Sequence, residues 1–294
     1  MGDKESQTYQ KLVNLFIMTA LIFTFQLLGG ILTDSLALVA DSFHVMVDLS
    51  SIGIALFALN LSQRPHSSKL TFGFHRAEIV AAFINGIFLV VTAALILYET
   101  YGRFLRPHEI DSVMLLSFAS VSLCANIFMA TTLNKESRTN LNIKGVYLHV
   151  LGDLGSLIGI IIGALILLIF HILYADSIVS LAIGALILFS GLRLCKKCLH
   201  VFMEGTPEEL KFSDVYQVLE NTEGVTEVHD LHLWVLTSNL YAMSVHIKVH
   251  PSQANKSNDL LNKINHTMRE QFGITHCTIQ IESDQDFIKP TGVD

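Results

Sequence analysis

Apolar residues run almost unbroken over residues 12–32, 36–60, 79–98, 112–133, 146–170 and 177–195, each run closed by a short polar segment. Roughly 20 such residues in a helix cross the hydrocarbon of a bilayer, so the pattern predicts six transmembrane helices. An even number places both termini on one side. After Met203 the pattern changes. TPEELKFSDVYQVLENT offers Thr206 as a cap, Pro207 at the first helical position and carboxylates soon after, which predicts a helix starting there. VTEVHDLHLWVLT and NLYAMSVHIKVH alternate and are rich in β-branched and aromatic residues; with Ser238 and Asn239 between them they read as an antiparallel pair. A polar amphipathic helix over 252–272 and a third strand, ITHCTIQIES, follow. The order αββαβ suits an α+β domain with its helices on one face of a sheet. The expectation is an α-helical membrane domain over 1–203 and a cytosolic α+β domain over 204–294.

Composition agrees: 51% of the 294 residues are hydrophobic and 15% charged, and the mean hydropathy is +0.50. An ordinary soluble domain is less apolar. The net charge of −7 gives no reason to expect a nucleic-acid partner; the expected surroundings are a lipid bilayer. Lys and Arg orient the spans. Arg64, Lys69 and Arg76 follow the second, Lys135, Arg138 and Lys144 the fourth, and Arg193, Lys196 and Lys197 the sixth; the opposite loops offer Arg103 and Arg106. By the positive-inside rule both termini are cytoplasmic. MGDKESQTYQ is short and the first run lacks the cleavage site of a secretory signal, so it is expected to stay as a span. MGDKES fits a loose myristoylation pattern that six spans make redundant. Four cysteines in membrane and cytosol predict no disulfide framework. CKKC, at Cys195 and Cys198, has metal-ligand spacing but no second pair.

Ionisable residues inside the apolar runs carry the chemistry. His44 and Asp48 stand four apart in the second run, His149 and Asp153 in the fifth, and Asp41 precedes His44 by three. Residues four apart share a helix face. A charge in the bilayer core costs about 2.5–3.5 kcal/mol by insertion scales, so such groups need a common partner. Two imidazoles and two carboxylates are the donors a tetrahedral zinc ion takes. Imidazole disfavours magnesium and manganese and leaves cadmium, cobalt, nickel and iron(II) compatible. A proton relay or an internal ion-pair network is the bland alternative. Asp41 reads as an orienting group behind His44 or as a proton carrier. Gly155, Gly159 and Gly163 form a stripe of small residues that predicts close helix packing.

Four motifs in order carry a resemblance. SLALVADSFHVMVD, TFGFHRAE, HVLGD and VHDLHLW resemble the cation diffusion facilitators of the zinc-type branch, near the bacterial cobalt-zinc-cadmium and zinc efflux proteins, and the resemblance covers residues 12–284. The resemblance implies a homodimer of six-span protomers with a cytosolic ferredoxin-like domain that exports divalent metal in exchange for protons. It implies that His44, Asp48, His149 and Asp153 form the transport site, and that zinc is cargo and also a regulatory ligand. His229, His246 and Glu282 match positions that bind zinc in the cytosolic domain, with Gln280 where some members have histidine. His232, His250 and His276 are weaker candidates there. Strict alternation would put His229 and Leu231 on one sheet face and His232 on the other.

His75 matches a loop histidine of the animal branch, placed to hand metal to the transport site. A second loop site found in some members is not implied, because Ser67, Leu70 and Phe74 stand at its positions beside His66. Arg76 and Glu204 match a charge interlock between the two domains. The loop NKESRTNLNIKG lacks a histidine-rich insertion, which points to a prokaryotic inner membrane. An enzyme is not expected: four protein ligands close a zinc ion, and neither HExxH nor GxSxG occurs. A membrane metal sensor or structural metal-binding protein is the rival reading, and net metal flux separates the two.

Overall fold

The computed structural model describes residues 2–61, 68–137, 141–237, 240–250 and 257–283; the side chains of 2–12, 51, 52, 55–61, 135–137, 141–146, 148, 149 and 283 lie outside the described set. In chain order the elements are α1 (Gly2–Thr33), α2 (Leu36–Leu61), α3 (Ala77–Leu105), α4 (Ser112–Ser137), α5 (Leu141–Phe170), α6 (Tyr174–Phe202), α7 (Phe212–Glu220), β1 (Val225–Thr237), β2 (Leu240–Val249), α8 (Ser257–Phe272) and β3 (Ile274–Ser283). They form two compact units, one of Met1–Arg64 and Ala81–Cys195, the other of Pro65–Val80 and Lys196–Asp294. The 65–80 loop thus groups with the C-terminal residues rather than with the helices that flank it.

Among the described residues five helices are long and apolar enough to cross a membrane: Val13–Thr33, Ala77–Leu105, Ser112–Asn134, Val150–Phe170 and Tyr174–Phe202. α2, where the second span is expected, is a helix of 26 residues. In the helical unit α1 packs on α2 and α4, α4 on α5, and α2 on α5. Leu38, Leu115, Leu157 and Ile160 are fully buried at the centre.

Close approaches fall where small residues meet a neighbour. A Cβ on Gly30 would sit 2.6 Å from the Val39 side chain, and one on Gly191 2.8 Å from Leu89 Cβ. The expected stripe on α5 does not behave this way: among the described residues a Cβ on Gly155 or Gly159 meets nothing within 4 Å, and only Gly163 approaches a neighbour, Val179. Spacing alone marks a face that permits close packing; along this stripe the described chain uses it only at Gly163, where a Cβ would sit 3.2 Å from Val179.

The corner between α1 and α2 fixes the N-terminus of the helix that carries His44 and Asp48. α1 ends with Asp34 in the left-handed region (φ 54°), and the Ser35 amide donates back to the Gly30 carbonyl at 3.0 Å, a Schellman closure with aspartate where glycine is usual. Ser35 then caps α2, its hydroxyl accepting from the Leu38 amide at 3.2 Å. Asp176, at the start of α6 and 3% exposed, accepts from the Ser35 hydroxyl at 2.5 Å and from the Leu36 amide at 3.0 Å. A carboxylate there complements the positive end of the helix dipole. Replacing Asp176 by alanine removes the acceptor from several buried donors and is expected to cost about 1–3 kcal/mol, read as a lower unfolding midpoint in detergent; an unchanged midpoint would deny the clamp any energetic role.

The second unit is a three-stranded sheet in the order β1-β2-β3, with β1 and β2 antiparallel and β2 and β3 parallel through α8. Val215 and Leu219 of α7 and Leu260, Ile264 and Met268 of α8 close a core over Val228, Met243, Val245 and Ile247. The strands fall where alternation predicts them, and α8 ends at Phe272 where the amphipathic pattern ends; residues 252–256 of the expected helix lie outside the described residues. The helix expected from Thr206 does not: α7 starts at Phe212 with Lys211 as its N-cap. The Thr206 carbonyl accepts from His200 Nε2 at 2.8 Å, and residues 207–210 close a turn, the Leu210 amide donating to the Pro207 carbonyl.

Candidate metal sites

His44 and Asp48 project from one face of α2, as their spacing dictates, and the packing of α2 on α5 brings Asp153 to them. One ligand atom from each of the three lies within 4.8 Å of the others. His44 Nε2 stands 3.6 Å from Asp153 Oδ1, and donors around a tetrahedral zinc ion are about 3.3 Å apart at bond lengths near 2.0 Å. Asp153 is 5% exposed, while His44 and Asp48 are half-buried. His149 lies one turn before Asp153 on α5; its side chain is outside the described residues. One imidazole and two carboxylates suit a divalent ion of the zinc group in donor type.

Asp41, 1% exposed, accepts a 2.9 Å hydrogen bond at Oδ2 from Gln26 of α1, itself fully buried. Gln26 was not legible as a site residue: a single amide in an apolar run carries no motif, and only the packing of α1 on α2 pairs it with Asp41.

A second cluster lies on the sheet. Glu282 Oε1 stands 2.8 Å from His246 Nδ1, its Oε2 stands 3.2 Å from His229 Nε2, and the imidazole centroids are 5.4 Å apart. Gln280 orients the carboxylate by donating to Oε1 at 3.0 Å. His229 and His246 are direct cross-strand partners, so they share a face. Contrary to strict alternation, that face is not the one Leu231 occupies. The β1–β2 ladder shifts between His229 and His232, and Asp230 there takes φ 51°. This bulge lets Val228 and Leu231, three residues apart, both enter the core. His229 is left opposite His246, away from it.

The remaining candidates scatter. His232 is exposed and lies 3.0 Å from Asp230. His276 is exposed and meets the edge of Phe72. His250 is exposed beyond β2, and His75 is half-buried in the turn before α3. His66 is outside the described residues. Cys195 and Cys198 lie at the end of α6 and are not joined in a disulfide. Burial pushes the Cys277 thiol up, which keeps it a thiol rather than a thiolate ligand near neutrality.

Arg76 and Glu204 are 3.3 Å apart. Glu204 occupies a left-handed position (φ 57°) at the end of α6, where the Gly205 amide donates to the His200 carbonyl. The pair is half-exposed to exposed, so its energetic contribution is small.

Apolar helices of spanning length with a His and carboxylate cluster among them, joined in sequence to a small sheet domain with a second such cluster, define a multi-pass membrane protein with metal-type donor sets. The family model for the cation efflux transmembrane domain matches residues 12–203, and that for the cation efflux protein cytoplasmic domain matches residues 207–284. The chain belongs to the cation efflux family. It is 37% identical to a cadmium, cobalt and zinc/H(+)-K(+) antiporter of Bacillus subtilis, over 97% of this chain and 93% of that one. It is 35% identical to the zinc transporter ZitB of Escherichia coli, over 95% and 88% respectively. A solved structure, the metal-bound C-terminal domain of the CzcD transporter from Cupriavidus metallidurans, is 33% identical and covers 25% of this chain and 99% of its own, with a TM-score of 0.24.

Proposed function

We propose that this protein exports a divalent metal ion, zinc foremost and cadmium and cobalt with it, across the inner membrane of a prokaryotic cell in exchange for protons. The observation that carries this reading is the convergence of His44, Asp48 and Asp153 within 4.8 Å, on two helices of a chain that belongs to the cation efflux family. His149 completes the set as a fourth donor, one helical turn from Asp153. α2 serves as the sixth span, both termini are cytoplasmic, and the protomer works as a homodimer with a ferredoxin-like cytosolic domain. Arg76 and Glu204 interlock the domains, and His75 passes metal toward the transport site.

Proton coupling follows from the donors. A metal needs ionised carboxylates and an imidazole with a free lone pair, so protons and metal compete for the same atoms. A site that faces the two sides in turn loses its metal to protons on the acidic side and carries them back. Asp41, held by Gln26 one turn from His44, supports the same exchange.

The test is zinc uptake by sealed proteoliposomes under an imposed pH gradient, with zinc and protons followed together. Uptake that follows the gradient and moves protons the opposite way is the expected result. Tight zinc binding with no flux under any gradient would replace transport by a sensory or structural role.

A further inference from the structure

The two nitrogens of His246 face different carboxylates. Nδ1 stands 2.8 Å from Glu282 Oε1, and Nε2 stands 3.6 Å from Asp230 Oδ2. Asp230 is held in turn, its other oxygen 3.0 Å from His232 Nε2. A metal ion between Glu282 and His229 Nε2 meets His246 at Nδ1, which must then present a lone pair. In a neutral imidazole the proton is left on Nε2, the nitrogen that faces Asp230.

We propose that Asp230 is the positioning residue of the cytosolic metal site: its carboxylate accepts the Nε2 proton of His246 and so selects the tautomer and ring orientation that bind metal through Nδ1. The inference rests on the reading of His229, His246 and Glu282 as a metal site. Histidine ligands commonly give their second N–H to a carboxylate, and loss of that partner costs about 10–100-fold in metal affinity. At 3.6 Å the contact is longer than a formed hydrogen bond, and it is expected to shorten when metal takes Nδ1. The backbone adds an independent observation. Asp230 sits at φ 51° in the bulge, a conformation that glycine adopts freely and that asparagine tolerates about as well as aspartate. A purely conformational role would therefore be served best by glycine.

That difference makes the test. Zinc affinity is measured by competition with a chelating dye on the full-length protein in detergent, in an Asp153→Ala background that disables the membrane cluster. Thermal unfolding is recorded on the same metal-free samples. Asp230→Gly is expected to weaken zinc binding by about 10–100-fold with an unfolding midpoint equal to or above the parent's. Asp230→Asn, whose amide oxygen still accepts from Nε2, is expected to lose less. Glycine binding as tightly as aspartate overturns the proposal, and so do equal losses in both variants that track a lowered midpoint. His229→Ala serves as the control for the site itself: if it leaves zinc binding unchanged, the reading of the metal site fails and the role of Asp230 falls with it.

Discussion

Replacing Asp153 by alanine is expected to reduce gradient-driven zinc uptake into proteoliposomes by at least about a hundredfold. Asp153 is the most buried of the three clustered donors and the one that brings α5 to the histidine of α2, at 3.6 Å. Without it, the described donors that remain, His44 and Asp48, both come from α2. Breaking a buried charge pair by removing one partner costs about 3–5 kcal/mol, and each 1.4 kcal/mol is about tenfold in binding. Asp153→Asn keeps the volume and removes the charge, and it is expected to fail equally. Parallel measurement of zinc binding and counter-proton flux checks the account. A variant that binds weakly yet still exchanges protons for zinc at the parental ratio would show that Asp153 tunes affinity and leaves coupling to other groups.

The second large effect is expected at Glu282. Its two oxygens address both imidazoles of the sheet cluster, at 2.8 Å and 3.2 Å, and its side chain is 10% exposed. Glu282→Ala removes the anionic donor of the set and is expected to lower zinc affinity of the cytosolic site by about a hundredfold or more, by the same arithmetic. The sheet should survive, because Glu282 lies on the face opposite the core formed by Val245 and Ile247. Dye competition in the Asp153→Ala background, with thermal unfolding alongside, checks both halves. Parental affinity in the variant would exclude Glu282 as a ligand.

What the sequence reads well is what depends on neighbours in the chain. The spanning lengths of α1, α3, α4, α5 and α6 come from runs of apolar residues, and the helix places His44 beside Asp48 because 3.6 residues make a turn. Alternation located β1, β2 and β3, and the polar stripe of α8 located the helix between the last two strands. The zinc-type donors were legible for the same reason: an ionisable group in an apolar run is costly enough to announce itself.

Where a contact outside the pattern competes with the local signal, local reading failed. Thr206 and Pro207 look like a helix start, yet the hydrogen bond from His200 engages the Thr206 carbonyl and the helix begins at Phe212. Gly155 and Gly159 look like a packing face, yet the tight approaches are at Gly30 and Gly191, where a neighbour's backbone or side chain lies against the glycine. Strict alternation puts His229 on the face of Leu231, and the bulge with Asp230 at φ 51° reverses that pairing, until a second irregularity between Val235 and Thr237 shifts the strand again.

By itself, then, the sequence determined the class of protein, its helices and strands, and the chemistry of its donors, since hydropathy, periodicity and ionisation belong to residues and their near neighbours. Only the tertiary structure decided which donors meet. Asp153 reaches His44 because α5 packs on α2, and Glu282 reaches His229 and His246 because β3 runs parallel to β2 and a bulge at Asp230 turns His229 away from the core. Those meetings depend on the burial of apolar faces far apart in the chain, a quantity that no short window of sequence contains.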